Sequence, residues 1–157
     1  MSIVCVLDMD ETLGFSDEKT FYRRPKIEFL INFLRLQRID IILWSLGKDE
    51  YVKQMMNGFL PEITKYAYKV FARNESERSL RQFEIKKASE HIRSLYDRTI
   101  LLIGVDDRAG EVMDEGYDLR IQVGVYDAVK PDDSELVDVV EKIMRFCLDH
   151  QTREESE

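Results

Sequence analysis

Ile3-Val4-Cys5-Val6-Leu7-Asp8-Met9-Asp10-Glu11-Thr12-Leu13 decides the fold. Five apolar residues run from Ile3 to Leu7 without a polar interruption, the pattern of a strand buried on both faces. Such strands belong to sheets covered on both sides, which are mostly parallel and joined by helical crossovers. The run stops at a carboxylate, and Asp10 and Glu11 follow at once. In open α/β sheets, that carboxyl edge is where ligands bind.

Outward from this stretch, short apolar runs alternate with helical patterns. Arg24-Pro25 opens a helix in which Ile27, Leu30, Ile31 and Leu34 recur at helical spacing, and Pro25 suits a first turn. Strands are expected at Asp40 to Trp44, Ala67 to Phe71, Thr99 to Val105 and Leu119 to Val123. Helices are expected at Asp49 to Asn57 with Gly58 as the stop, at Ile85 to Leu95, and at Ala109 to Glu115 ended by Gly116. Asp132 and Glu135 read as a capping box before a last helix from Leu136 to Cys147. The expected fold class is α/β: one three-layer α/β/α domain over residues 1–149 around a central, mostly parallel sheet. The polar tail, 150–157, is expected to fray.

Composition narrows the classes. A chain of 157 residues has room for one packed core, and 44% apolar with 34% charged residues excludes collagen-like and wholly disordered chains. Thirty-one acids against 23 bases give a net charge of −8, which argues against a general binder of nucleic acid or anionic membrane. Cys5 and Cys147 are too few for a disulfide scaffold and read as buried thiols in a reducing compartment. The longest apolar run, Ile39 to Leu46, is strand-sized and interrupted by Asp40 and Ser45, so no membrane span is expected. The N-terminus has no basic segment followed by an apolar stretch. The expected location is the cytoplasm or nucleus.

The polar residues that follow each apolar run carry the chemistry. Asp8, Asp10 and Thr12 follow the first strand, Ser45 the second, and Asp106-Asp107 the fourth, all at one edge of the sheet. Four carboxylates gathered there repel one another unless a cation is present. Hard carboxylate oxygens are what Mg²⁺ accepts. Turn chemistry explains any single aspartate; it does not explain the joint pattern. A calcium loop is excluded by Leu13 and Lys19 at the positions needing Gly and Glu. A P-loop is excluded by Asp49 after Gly47-Lys48 and by Ile42 at the first glycine position.

These residues resemble, in order, the four motifs of the haloacid dehalogenase (HAD) superfamily: Val4 to Leu13 the first, Ser45 the second, Lys86 or Lys87 the third, Val105-Asp106-Asp107 the fourth. Within it the chain is most similar to the small CTD phosphatases and NLI-interacting-factor-like phosphatases. Asp10-Glu11-Thr12-Leu13, Arg24-Pro25 with Leu30, Tyr51 after Ser45, and Asp133-Ser134-Glu135-Leu136 carry that closer likeness. It departs at Gly14-Phe15, where Val-His is common, at Arg73-Asn74-Glu75-Ser76, where Arg-Glu-x-Cys is usual, and at Arg108-Ala109-Gly110 in place of Ser-Pro. These differences bear on substrate more than on chemistry.

The resemblance implies a HAD-like, Rossmann-like fold and a Mg²⁺-dependent phosphatase acting through an aspartyl-phosphate. Its substrates would be phosphoserine and phosphothreonine in proteins, with the tail of RNA polymerase II among the possible partners. Asp8 would be the nucleophile and Asp10 the acid and base. Asp8, Asp107 and the Asp10 carbonyl would hold the metal, with Asp106 behind them or in direct contact. Ser45 and a lysine would meet the phosphoryl oxygens, and Thr12, Tyr51 and Arg73 would lie at the substrate. Lys86 and Lys87 are about 100° apart on the expected helix, so one of them faces the site. Lys86 is preferred because it follows Ile85 at the helix start.

The intervals Asp10 to Asp40 and Ser45 to Lys86 are filled by their own helices and strand. A separate cap domain needs roughly 50 residues or more, and neither interval has room. An open site favours a loop or tail of a phosphoprotein over an enclosed metabolite. Phe15, Phe21, Tyr22 and Tyr51 are candidates for a groove beside it. The competing readings are a small-molecule phosphatase with a mobile lid, a polynucleotide 3′-phosphatase, and a non-enzymatic aspartyl-phosphate switch.

Overall fold

Alternation along one strand sorts the molecule into layers. The computed structural model describes residues 1–73 and 87–156, with side chains through Gln151. Its strands are β1 (Ser2–Leu7), β2 (Gly14–Ser16), β3 (Phe21–Arg23), β4 (Asp40–Lys48), β5 (Lys69–Arg73), β6 (Ile100–Asp106) and β7 (Leu119–Gln122). Its helices are α1 (Ile27–Leu36), α2 (Asp49–Phe59), α3 (Pro61–Tyr66), α4 (Ser89–Arg93), α5 (Ala109–Val112) and α6 (Glu135–Ser156). The main sheet has the order β5-β4-β1-β6-β7 with every pair parallel, and β2 and β3 form a separate antiparallel hairpin.

In β1, Cys5 and Leu7 pack with Ile41, Leu43, Ile103 and Val105 against α1, α2, α3 and α6. Val4 and Val6 pack with Ile42, Trp44 and Leu102 against Ile92 of α4 and Ala109 and Val112 of α5. This is the α/β/α sandwich that an uninterrupted apolar strand requires. α1 buries Ile27, Leu30, Ile31 and Leu34 as the spacing predicts, each worth about 1.5–3 kcal/mol of transfer energy. Among the described residues no helix is long and apolar enough to cross a membrane.

The register sets the functional edge. Leu7 stands opposite Leu43 on one side and Val105 on the other. The residues that follow, Asp8, Trp44-Ser45 and Asp106-Asp107, therefore arrive level. The Asp8 N–H continues the ladder to the Val105 carbonyl at 3.0 Å.

Several elements differ from the sequence expectations. α1 starts at Ile27 rather than Pro25, because Lys26 turns the chain through a left-handed φ of 77°. Gly58 lies inside α2 and does not end it. Of the helix expected over Ile85 to Leu95, the described residues show Ser89–Arg93, whose first residue is held by Asp114 through both its N–H and its hydroxyl. Lys87 instead forms a parallel bridge to Met113. The expected Asp132–Glu135 box is replaced: Asp133 accepts the Glu135 N–H, and the Glu135 carboxylate turns to the Gly124 N–H. The tail expected to fray from residue 150 continues α6 to Ser156. The β2–β3 hairpin has no counterpart in the sequence reading, since three-residue strands are too short to show a period.

Candidate active site

Asp8 leaves β1 at the sheet's carboxyl edge and is 7% exposed. One carboxylate oxygen, Oδ1, receives the Lys87 ammonium at 3.0 Å; the other, Oδ2, faces the Thr12 hydroxyl at 2.8 Å. Thr12 reaches back because Glu11 adopts a left-handed φ of 66°, a conformation that costs a non-glycine residue about 1 kcal/mol or more. The same Thr12 hydroxyl lies 3.1 Å from Asp107 Oδ1 and accepts the Asp107 N–H at 2.9 Å. Thr12 is fully buried. It therefore joins two carboxylates, and does not face outward to a substrate as expected.

Asp106 ends β6 and Asp107 follows it. Asp106 Oδ2 lies 2.5 Å from the Lys87 ammonium, and its Oδ1 accepts the Arg108 N–H at 2.8 Å. The lysine at the site is thus Lys87. Lys86, preferred from the sequence, lies outside the described residues. Lys87 is 1% exposed. Its N–H bonds the Val112 carbonyl at 2.9 Å, and its own carbonyl accepts the Tyr117 hydroxyl at 2.8 Å. The segment after β6 thereby aims the lysine at the acids that precede it. The preference for Lys86 assumed a helix phase, and a strand-like bridge replaces that phase.

Asp10 stands apart from this cluster. It is partly buried, and its Oδ1 accepts the Tyr51 hydroxyl at 2.5 Å; that hydroxyl is 2.6 Å from Ser16 Oγ. The hydroxyl of Tyr51, a residue expected at the substrate, holds a carboxylate. Ser45 is buried where the β4–β5 register breaks, and its hydroxyl accepts the Gly47 N–H at 3.0 Å. Arg73 ends β5 opposite Lys48, at the same sheet edge and two strands from Asp8.

Behind the loop, Arg24 is buried against Asp133, with Nε–Oδ1 2.9 Å and Nη2–Oδ2 3.2 Å. Its Nη1 donates to the Thr12 carbonyl at 3.2 Å and the Gly124 carbonyl at 2.9 Å. The Arg-Pro pair read as a helix start is thus also a brace for the acidic loop. The sequence shows the Arg24-Pro25 pair, which reads there only as a helix start.

Burial pushes the carboxyls of Asp8, Asp10, Asp106 and Asp107 above the usual range. The Lys87 charge opposes this at Asp8 and Asp106, and the Tyr51 hydrogen bond opposes it at Asp10. Asp8, Asp106 and Asp107 each offer one oxygen within 4.8 Å of the others. Three buried carboxylates against one ammonium leave negative charge in a low-dielectric site. A hard divalent cation neutralises that charge, so the donor set fits Mg²⁺. The Asp10 carboxylate is outside this group.

Known proteins are similar to this chain in sequence or fold. The family of NLI interacting factor-like phosphatases matches residues 3–152. An uncharacterized protein from Listeria monocytogenes serotype 4b is similar in fold at a TM-score of 0.54 and 15% identity, covering 90% of this chain and 97% of that one. The fission yeast RNA polymerase II CTD phosphatase Fcp1, solved as an Arg-to-Ala variant bound to beryllium fluoride, is similar at a TM-score of 0.51 and 17% identity. That likeness covers 80% of this chain and 42% of the Fcp1 chain. No curated protein sequence matches the chain.

Proposed function

Because the chain belongs to the NLI interacting factor-like phosphatase family, a family of HAD-type phosphatases, we propose that it hydrolyses phosphoserine and phosphothreonine in proteins, with Mg²⁺, through an aspartyl-phosphate on Asp8. One observation carries the reading: two carboxylates two positions apart have opposite surroundings. Asp8 is sealed between Lys87 and Thr12, while Asp10 is partly exposed and held away from the cluster by Tyr51.

An oxygen of Asp8 bonds to phosphorus as the bond to the serine oxygen breaks. Asp10 gives that leaving oxygen a proton, since an alkoxide is too basic to depart unaided. Asp10 then takes a proton from water, whose oxygen bonds to phosphorus and frees Asp8. Lys87 meets charge on the transferred group, and the Ser45 hydroxyl has a proton to donate to a phosphoryl oxygen. Asp8, Asp106 and Asp107, with the Asp10 carbonyl, would hold Mg²⁺, which supplies charge neutralisation at the phosphoryl oxygens.

The absence of room for a cap domain supports a protein loop or tail as substrate, the RNA polymerase II tail among the candidates. We place the activity in the cytoplasm or nucleus, where the free thiols Cys5 and Cys147 stay reduced. The deciding experiment is Mg²⁺-dependent phosphate release from a phosphopeptide array by the wild type and by Asp8→Asn. Release by the wild type alone is expected. Asp8→Asn activity within tenfold of wild type removes Asp8 from the nucleophile role.

A further inference from the structure

The Tyr51 hydroxyl has two polar neighbours, Asp10 Oδ1 at 2.5 Å and Ser16 Oγ at 2.6 Å. A carboxylate accepts hydrogen bonds and has none to give, so Tyr51 donates to Asp10. A phenol has one proton, so the Ser16 hydroxyl must donate to the Tyr51 oxygen. With Asp10 ionised, or carrying its proton on Oδ2, the direction is Ser16 to Tyr51 to Asp10. Among the described residues, Tyr51 is the one side chain that bonds the Asp10 carboxylate.

We propose that Tyr51, backed by Ser16, is a positioning residue that holds Asp10 by Oδ1 and reserves Oδ2 for moving the proton. The inference rests on the phosphatase reading above and deepens it. Asp10 lies beyond β1, in a lone bridge to Gly14, so the sheet does not fix its side chain. Tyr51 comes from α2 and Ser16 from β2, so the relay ties the acidic loop to both. The Tyr51 ring is itself confined: a Cβ placed on Gly47 would stand 3.1 Å from it. With Oδ1 occupied, the proton leaves from Oδ2 to the departing serine oxygen as that oxygen's bond to phosphorus breaks and the Asp8 bond forms. The proton taken from water in the second step returns to Oδ2.

Tyr51→Phe removes the hydroxyl and keeps the ring. The measurement is rapid-mix product release in a single turnover, with a phosphoserine peptide and with nitrophenyl phosphate, alongside the KM for the peptide and the melting temperature. Nitrophenolate is a weak base and hardly needs the proton. The expected result is about tenfold slower release from the peptide, less than about threefold from nitrophenyl phosphate, and an unchanged peptide KM. Ser16→Ala should show the same pattern at smaller amplitude. Tyr51→Phe added to Asp10→Asn should cost nothing more. Equal slowing of both substrates, no slowing, or a raised KM with an unchanged rate overturns the proposal; the last would make Tyr51 a substrate contact. A wild type that releases product from neither substrate overturns the phosphatase reading itself, and that outcome is separate from any ratio between variants.

Discussion

The Lys87 ammonium lies 2.5 Å from Asp106, with both side chains nearly sealed from water. One lysine thereby offsets part of the repulsion among three buried acids. Removing a member of such a pair leaves an uncompensated charge, which typically costs about 3–5 kcal/mol. Lys87→Met should lower the melting temperature in the absence of divalent cation. Added Mg²⁺ should restore part of it, because a ligand that binds the folded state stabilises it. Phosphate release should fall about 10²-fold or more, at least tenfold further than for Lys86→Met. Equal losses for the two lysines would remove Lys87 from the site.

Asp106 and Asp107 are adjacent, yet their partners divide their roles. Asp106 is committed to Lys87 and to the Arg108 N–H, whereas Asp107 Oδ1 meets the Thr12 hydroxyl. Asp107→Ala should therefore weaken Mg²⁺ binding more than Asp106→Ala does, by about tenfold. Calorimetric titration with Mg²⁺ reads the order, and the reverse order would exchange the two roles.

The Arg24–Asp133 pair predicts a pH dependence. Burial works against the Asp133 charge, but the Arg24 hydrogen bond and charge outweigh it and hold the carboxyl below the usual range. A depressed folded-state value stabilises the fold at a pH above the unfolded value, near about 4. That contribution is lost as pH falls through the lower folded value. Asp133→Asn should thus lower stability at pH 7 and flatten its acid limb below about pH 4. Denaturant melts from pH 7 to pH 2 read this; a parallel acid limb in the variant would show that Arg24 does not hold the carboxylate.

Gly14 carries the turn into β2. Its φ is 158°, and a Cβ there would stand 2.3 Å from the Tyr22 carbonyl oxygen and 2.5 Å from the Phe21 ring. Gly14→Ala must push the two hairpin strands apart, at a cost of about 1–3 kcal/mol. Because Gly14 also bridges Asp10, phosphate release should fall with the melting temperature. Retained stability would show that the hairpin yields freely.

The sequence by itself determined the layers and the edge at which the acids gather. An apolar run from Ile3 to Leu7 must be buried on both faces, and polar residues toward the carboxyl ends of β1, β4 and β6 must emerge together at one edge of a parallel sheet. The same logic placed Asp8, Ser45, Asp106 and Asp107 at that edge, because a strand's direction and its end are local properties. The α1 core positions were legible for the same reason, since Ile27, Leu30, Ile31 and Leu34 carry the helical period in themselves.

Tertiary structure alone decided which partner each acid takes. Lys87 reaches Asp8 and Asp106 because Met113, Val112 and Tyr117 fix its backbone from a distant segment. Thr12 turns inward because Glu11 accepts a left-handed φ, and Asp107 becomes its neighbour through pairing of β1 with β6. Tyr51 meets Asp10 only once α2 has packed beside the hairpin. Residues 135–156 form one helix although their last turns are polar, because Leu136, Val139, Val140 and Ile143 anchor its first turns in the core. Periodicity records which face of an element is apolar. Hydrogen-bond partners far apart along the chain leave no period, and only the folded backbone brings them within 3 Å.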